Sequence, residues 1–211
     1  MLSMSWNPVS RGIAVAAVAL AAVLASPVQA ATVMAPGSSW FYTFSNPTGN
    51  ASWTTQFNTL GWLTGNAPFS NVTTGVFRYD TGGTFWPAGG PISSDDLWIG
   101  RVVDFSGFDT ASAQWNIGID NGYKLYVNGT LISQANAEGF TSRWEYTGGF
   151  PALAAGQNFI ALALEDHGGL TAFDMEITAR STVIPLPAAG WLLLGGLGLL
   201  GWQGRRRSAA A

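Results

Sequence analysis

The sequence predicts an all-β domain with an apolar helical segment attached at each end. Three observations predict it. The body is rich in Trp, Phe, Thr, Val and Gly and holds few runs of helix formers. Several of its segments alternate apolar and small or polar residues with period two, and turn-forming pairs fall between those segments. The two termini, by contrast, carry continuous apolar runs next to arginine.

At the N-terminus Arg11 precedes an apolar run from Gly12 to Leu24, followed by Ser26-Pro27-Val28-Gln29-Ala30-Ala31. A positive start, an apolar core of about a dozen residues and small side chains before a cut are the features of a secretory signal. The run is shorter than the ~20 residues of a membrane-spanning helix. Residues 1–30 are therefore expected to be a signal peptide, cut after Ala30 by signal peptidase.

At the C-terminus Ile184-Pro185-Leu186-Pro187-Ala188 opens an apolar stretch that continues to Trp202, and Arg205-Arg206-Arg207 closes it. As a helix the stretch from Leu186 rises ~25 Å, slightly short of the ~30 Å hydrocarbon core, so it can span with local thinning. The arginines would then face the cytoplasm, in agreement with a domain exported by the N-terminal signal. The domains expected are 1–30 signal peptide, 31–182 β-sandwich, and 183–211 tail with a transmembrane helix.

The tail, from Val183-Ile184-Pro185-Leu186-Pro187-Ala188-Ala189 through the Gly- and Leu-rich stretch to the arginine cluster, resembles a PEP-CTERM sorting signal. It is nearest the variant built on Val-Pro-Leu-Pro-Ala, here interrupted by Ile184. The resemblance covers about the last 28 residues. It implies recognition by an exosortase in a Gram-negative bacterium that makes exopolysaccharide, with processing at Pro185, Leu186, Pro187 and Ala188. Transient membrane anchoring would precede release to the cell surface or extracellular matrix. A permanent single-span anchor is the alternative.

Between the ends, twelve acidic residues stand against five basic ones (Arg78, Arg101, Lys124, Arg143 and Arg180), a formal charge of −7. Such a balance argues against nucleic acid as a partner. With no cysteine in the chain, disulfides, thiolate metal sites and cysteine nucleophiles are excluded.

Within the body, Trp115, Ile117 and Ile119 share one face of a strand, and Ile160, Leu162 and Leu164 alternate with Ala161 and Ala163. Phe173, Met175 and Ile177 alternate with Asp174, Glu176 and Thr178, which predicts one core face and one wet face. Asn128-Gly129, between Tyr126-Val127 and Thr130-Leu131-Ile132, predicts a two-residue hairpin, because both central residues tolerate positive φ. Asp120-Asn121-Gly122 predicts a second tight turn.

The run Asp120-Asn121-Gly122-Tyr123-Lys124-Leu125-Tyr126-Val127-Asn128-Gly129 resembles the hairpin of galactose-binding-like jelly rolls. Gly156 to Asp166 resembles that fold's penultimate strand, and Thr171 to Ile177 its closing strand. The resemblance spans about residues 95–178 and implies a sandwich used in carbohydrate-binding modules and in accessory domains of glycosidases. Fold likeness alone does not assign a function.

Candidate chemistry is sparse. His167, the single histidine, lies in Glu165-Asp166-His167-Gly168-Gly169 and reads first as a polar loop, with no second histidine and no nucleophile-elbow serine beside it. Calcium is a candidate ligand at Asp95, Asp96 and Asp120, although EF-hand spacing is absent. Trp62, Trp86 and Trp144, with Arg143 and Tyr146, are the candidate carbohydrate-binding residues: sugar faces stack on indoles and polar neighbours take the hydroxyls. Core packing is the alternative for each tryptophan.

The function expected is thus a non-catalytic, exported module that contacts exopolysaccharide. The alternatives are a purely structural envelope or biofilm protein and, third, a glycoside-active enzyme built on two facing carboxylates.

Overall fold

In a computed structural model, residues 30–49, 52–55, 61–73, 82–88, 96–136, 143–182 and 195–197 are described. Twelve strands are found among them. They are β1 Ala30–Met34, β2 Ser39–Thr43, β3 Leu63–Asn66, β4 Phe69–Ser70, β5 Thr84–Phe85, β6 Leu97–Asp104, β7 Phe108–Asp120, β8 Gly122–Val127, β9 Thr130–Asn136, β10 Tyr146–Gly149, β11 Gln157–Glu165 and β12 Ala172–Ser181. These strands belong to one unit, Gln29–Thr182.

They form two six-stranded sheets, so the body is the all-β sandwich expected. The first sheet runs β10-β7-β12-β4-β5, with β1 also paired to β12; the second runs β3-β2-β6-β11-β8-β9. All pairings are antiparallel except β4 with β5. One edge of β12 is shared: β4 pairs with Ala172 and Phe173, and β1 with Ile177 to Arg180. Because Ala30 lies opposite Arg180, the first and last strands have their outer ends at one corner of the sandwich.

The period-two pattern decides what is buried. Ile117 and Ile119 of β7, Ile160, Leu162 and Leu164 of β11, and Phe173, Met175 and Ile177 of β12 are all at most 2% exposed and meet between the sheets. Each such side chain contributes on the order of 1.5–3 kcal/mol on burial. Trp40, Trp86 and Trp115 fill the same core, Trp40 edge-on to Phe173 at 5.8 Å between ring centres.

The Asn128-Gly129 hairpin forms between β8 and β9 with positive φ at both residues, 49° and 87°. Its partner turn behaves differently. Asn121 carries the chain from β7 in the first sheet to β8 in the second, so the three consecutive strands do not make a single meander.

The wet face expected on β12 needs correction at Asp174, which is 1% exposed. Its Oδ1 accepts hydrogen bonds from the Gly37 and Met175 amides at 3.1 and 2.8 Å, and its Oδ2 lies 3.2 Å from Arg143 Nη2. A carboxylate buried in this way needs those partners to offset the loss of water.

Among the described residues no helix is long and apolar enough to cross a membrane. Residues 1–29 of the expected signal segment and the motif residues Pro185, Leu186, Pro187 and Ala188 lie outside the described residues, whereas Ala30 is the first residue of β1. Of the expected transmembrane helix only residues 195–197 fall within them, and these are helical.

Candidate functional site

The outer face of the second sheet is laid out by the same alternation that fills the core. With Tyr123, Leu125 and Val127 of β8 turned inward, Lys124 and Tyr126 turn outward. On β11 the outward set is Phe159, Ala161, Ala163 and Glu165, and on β6 it is Trp98, Gly100 and Val102. Strand register then fixes the neighbours: Ala161 lies between Gly100 and Tyr126, and Ala163 between Trp98 and Lys124. The two alanines make a shallow trough along β11, bordered by longer side chains on β8 and β6.

The trough has a closed half and an open half. At the hairpin end, Trp53, Trp98, Phe159 and Ala161 form a second apolar cluster, with the partly exposed Trp62 and Tyr126 packed against it. Trp53 meets Tyr126 edge-on at 5.4 Å. Gly129 permits this cover, since a Cβ there would collide with the Thr55 side chain. Beneath it, Asn158 ties the hairpin to β11. Its Oδ1 accepts from Asn128 Nδ2 and the Ala154 amide, both at 2.9 Å, and its Nδ2 donates to the Ala154 and Gly156 carbonyls. Asn128 Oδ1 in turn accepts from the Phe159 amide at 2.8 Å.

At the open end lies a cleft of about 320 Å³ lined by Tyr123, Lys124, Gln134, Ala135, Asn136 and Glu165. Lys124 Nζ donates to Glu165 Oε1 at 2.7 Å, and this bond, foremost, holds the ammonium pKa above its ordinary value. Gly122 opposite leaves room for the carboxylate: a Cβ there would sit 3.0 Å from Glu165 Oε2. Gln134 and Asn136 on the edge strand β9 add amide donors and acceptors facing solvent.

The rim beyond Glu165 is acidic. The Asp166 amide donates to Asp96 Oδ1 at 3.2 Å, the His167 amide to Asn121 Oδ1 at 2.8 Å, and His167 Nε2 lies 3.8 Å from Glu165 Oε2. Burial pushes the Asp96 carboxyl above its ordinary value; Glu165 and Asp166 add to the rise, while the Asp166 amide and His167 oppose it. Among the described residues no group of three His, Cys, Asp or Glu is placed to hold a metal. Asp120 is buried, Asp96 lies on the rim, and Asp95 falls outside the described residues.

The five candidate sugar contacts do not come together. Trp62 lies on the outer face of the second sheet. Trp86 is fully buried between the sheets, so for it the alternative of core packing replaces the sugar contact: its amide is bonded to the Ser70 carbonyl and its carbonyl to the Thr171 hydroxyl. Tyr146 packs on the inner Tyr123 at 5.2 Å. Arg143 and Trp144 precede β10 and are not part of a strand; Trp144 has φ 62°, and the Arg143 guanidinium lies 5.5 Å from its ring centre. Arg143 also reaches Asp174, away from the Lys124 cleft.

Lys124 and Tyr126 belong to the hairpin run and Glu165 to the loop run before His167, but no residue type or spacing in the sequence marks them, Gln134 or Asn136 as ligand contacts. On β8 and β11 the signal is parity, since Lys124, Tyr126 and Glu165 stand out of phase with the core residues of their strands; on β9 the shift of register opposite Leu125 and Tyr126 hides it.

No protein-family profile matches the chain, and no curated protein does. Similar solved structures include a β-glucuronidase of an uncultured Clostridium species, with TM-score 0.48 and 8% identity, covering 74% of this chain and 30% of that one. A β-glycosidase from Bacteroides vulgatus has TM-score 0.48 and 17% identity, over 70% of this chain and 20% of that one. The Ruminococcus gnavus β-glucuronidase has TM-score 0.46 and 12% identity, over 74% and 30%. This chain spans less than a third of each, and at that level of likeness their activities say nothing about it.

Proposed function

We propose that residues 31–182 are a non-catalytic, galactose-binding-like glycan-binding module, exported by the N-terminal signal and sorted to the cell surface by exosortase processing of the tail. The observation that carries the binding reading is the open half of the trough. The partly exposed Ala163, the partly exposed Tyr126 ring at the edge of the covered half and, beside them, a charged pair with two amides provide a small apolar surface next to hydroxyl-directed donors and acceptors. The export reading is supported by the leader ending at Ala30, the Pro185-Leu186-Pro187-Ala188 motif and the terminal arginines.

The test is binding of the purified protein to a glycan panel and to exopolysaccharide, with calcium and with chelator. Saturable binding that survives chelator supports this reading, and no binding to any glycan refutes it. Mass spectrometry of protein from the producing cells tests export: an N-terminus at Ala31 and a mass ending near Pro185–Ala188 are expected.

A second reading, a purely structural envelope protein, is favoured by one observation. Trp40, Trp53, Trp86, Trp98 and Trp115 are all buried, so most tryptophans of the sandwich serve packing. That reading expects the same processing and no glycan binding.

A further inference from the structure

On β6 the inward residues are Leu97, Ile99, Arg101 and Val103, and the arginine therefore enters the space that the other three fill with hydrocarbon. Phe41 pairs with Gly100, which brings the inward Trp40 of β2 beside Arg101. The guanidinium carbon lies 5.6 Å from the Trp40 ring centre. Arg101 Nε and Nη1 and Trp40 Nε1 are all buried, and none has a hydrogen-bond partner among the described residues. Burial lowers the guanidinium pKa, and among the described residues no neighbouring carboxylate opposes it.

Stacking on an indole offsets part of the cost of burying a cation, but a ring face accepts no in-plane hydrogen bond from Nε or Nη1. Stranded donors of this kind are expensive, more so when charged. Arg101 as a whole residue is partly exposed, although its Nε and Nη1 are covered.

We propose that the Arg101–Trp40 corner between the sheets is a binding site for a carboxylate group. A carboxylate presents two coplanar oxygens that match the guanidinium fork, and its single charge neutralises the arginine. Its remaining lone pairs can accept from the indole N–H. A phosphate dianion would leave net negative charge among Leu97, Ile99 and Val103, where burial penalises it. The site is independent of the Lys124 cleft: Arg101 points to the inner face of the second sheet and Lys124 to the outer one.

The experiment is calorimetric titration of the purified protein with acetate, with a uronic acid and with that acid's neutral parent sugar, at constant ionic strength set with chloride. Saturable binding of acetate and of the uronic acid, but not of the neutral sugar, is expected. Tighter binding of the uronic acid than of acetate places the carboxylate on a sugar, whereas acetate alone places it on a small free acid. Arg101→Met should weaken binding by about 10- to 100-fold and Trp40→Phe, which removes the indole N–H with part of the ring but keeps an aromatic face, by about 2- to 10-fold.

Without ligand, Arg101→Met should raise Tm, because an unpaired buried cation is replaced by a side chain of similar volume. If Arg101 instead pairs with a carboxylate of this chain outside the described residues, Arg101→Met lowers Tm and acetate leaves the wild type unchanged. That result overturns the proposal, as does acetate binding unaltered in Trp40→Phe.

Discussion

Lys124 Nζ and Glu165 Oε1 lie 2.7 Å apart across two neighbouring strands, at the point where the alanine trough of the second sheet opens into a cleft. The lysine side chain is 44% exposed, so the pair adds little to stability, about 0–1 kcal/mol. Its position suits binding better than folding. Glu165→Gln should leave the urea midpoint nearly unchanged while weakening glycan binding by about tenfold or more, as read in parallel denaturation and binding titrations.

Trp62 and Trp86 should separate binding from packing. Trp86 is fully buried, and Trp86→Ala should cost about 3–5 kcal/mol of unfolding free energy through the cavity it leaves. Trp62, partly exposed at the rim of the second apolar cluster, should cost less in stability on change to alanine. Chemical denaturation of the two variants checks the order, and an equal loss in both would contradict it.

Asn158 is expected to be the most sensitive polar position. It is 1% exposed and its amide group makes four hydrogen bonds, one to Asn128 of the hairpin and three that close the Ala154–Gly156 loop before β11. Asn158→Ala strands several buried partners at once and should destabilise by about 2–4 kcal/mol, measured by urea unfolding.

Asp174 sets a pH dependence. Desolvation raises its carboxyl above the ordinary 3.8, and Glu176 adds to this; the Gly37 amide, Arg143 and the Met175 amide pull the other way. With the folded pKa above the unfolded one, the folded state holds the proton more readily. The contribution is therefore full below the ordinary value and is lost as pH rises through the folded value. Asp174→Asn should flatten that part of the stability profile. Denaturation midpoints from about pH 3 to 7 check it, and a variant as steep as the wild type would refute it.

Gly148 is required by packing, since a Cβ there would collide with the Trp115 indole. Gly148→Ala should cost about 1–3 kcal/mol through overpacking, read as a lowered Tm.

Much of the sandwich was legible in the sequence because burial follows period two. Ile160, Leu162, Leu164, Phe173, Met175 and Ile177 could be assigned to the core from alternation alone, and Asn128-Gly129 to its turn from the φ angles the pair tolerates. What was not legible depended on which strands become neighbours. Asp174 has the spacing of a wet residue, but it is covered through contacts with Gly37 and Arg143, 137 residues upstream and 31 residues upstream respectively. Trp86 stands among Gly and Pro, as an exposed residue would, yet it is fully buried, with its backbone bonded to Ser70 of β4 and to Thr171 just before β12. The cleft joins residues of β8, β9 and β11, and only the register shows that Lys124, Gln134 and Glu165 meet.

The central claim is that the open outer face of the second sheet binds a glycan. It is tested most directly by titrating the purified wild-type protein and the Lys124→Met and Tyr126→Ala variants, with unchanged far-UV spectra, against the tightest-binding glycan of the panel. The account predicts saturable wild-type binding, weakened by about tenfold or more in each variant. Binding of equal strength in all three proteins, or none in the wild type, would contradict it.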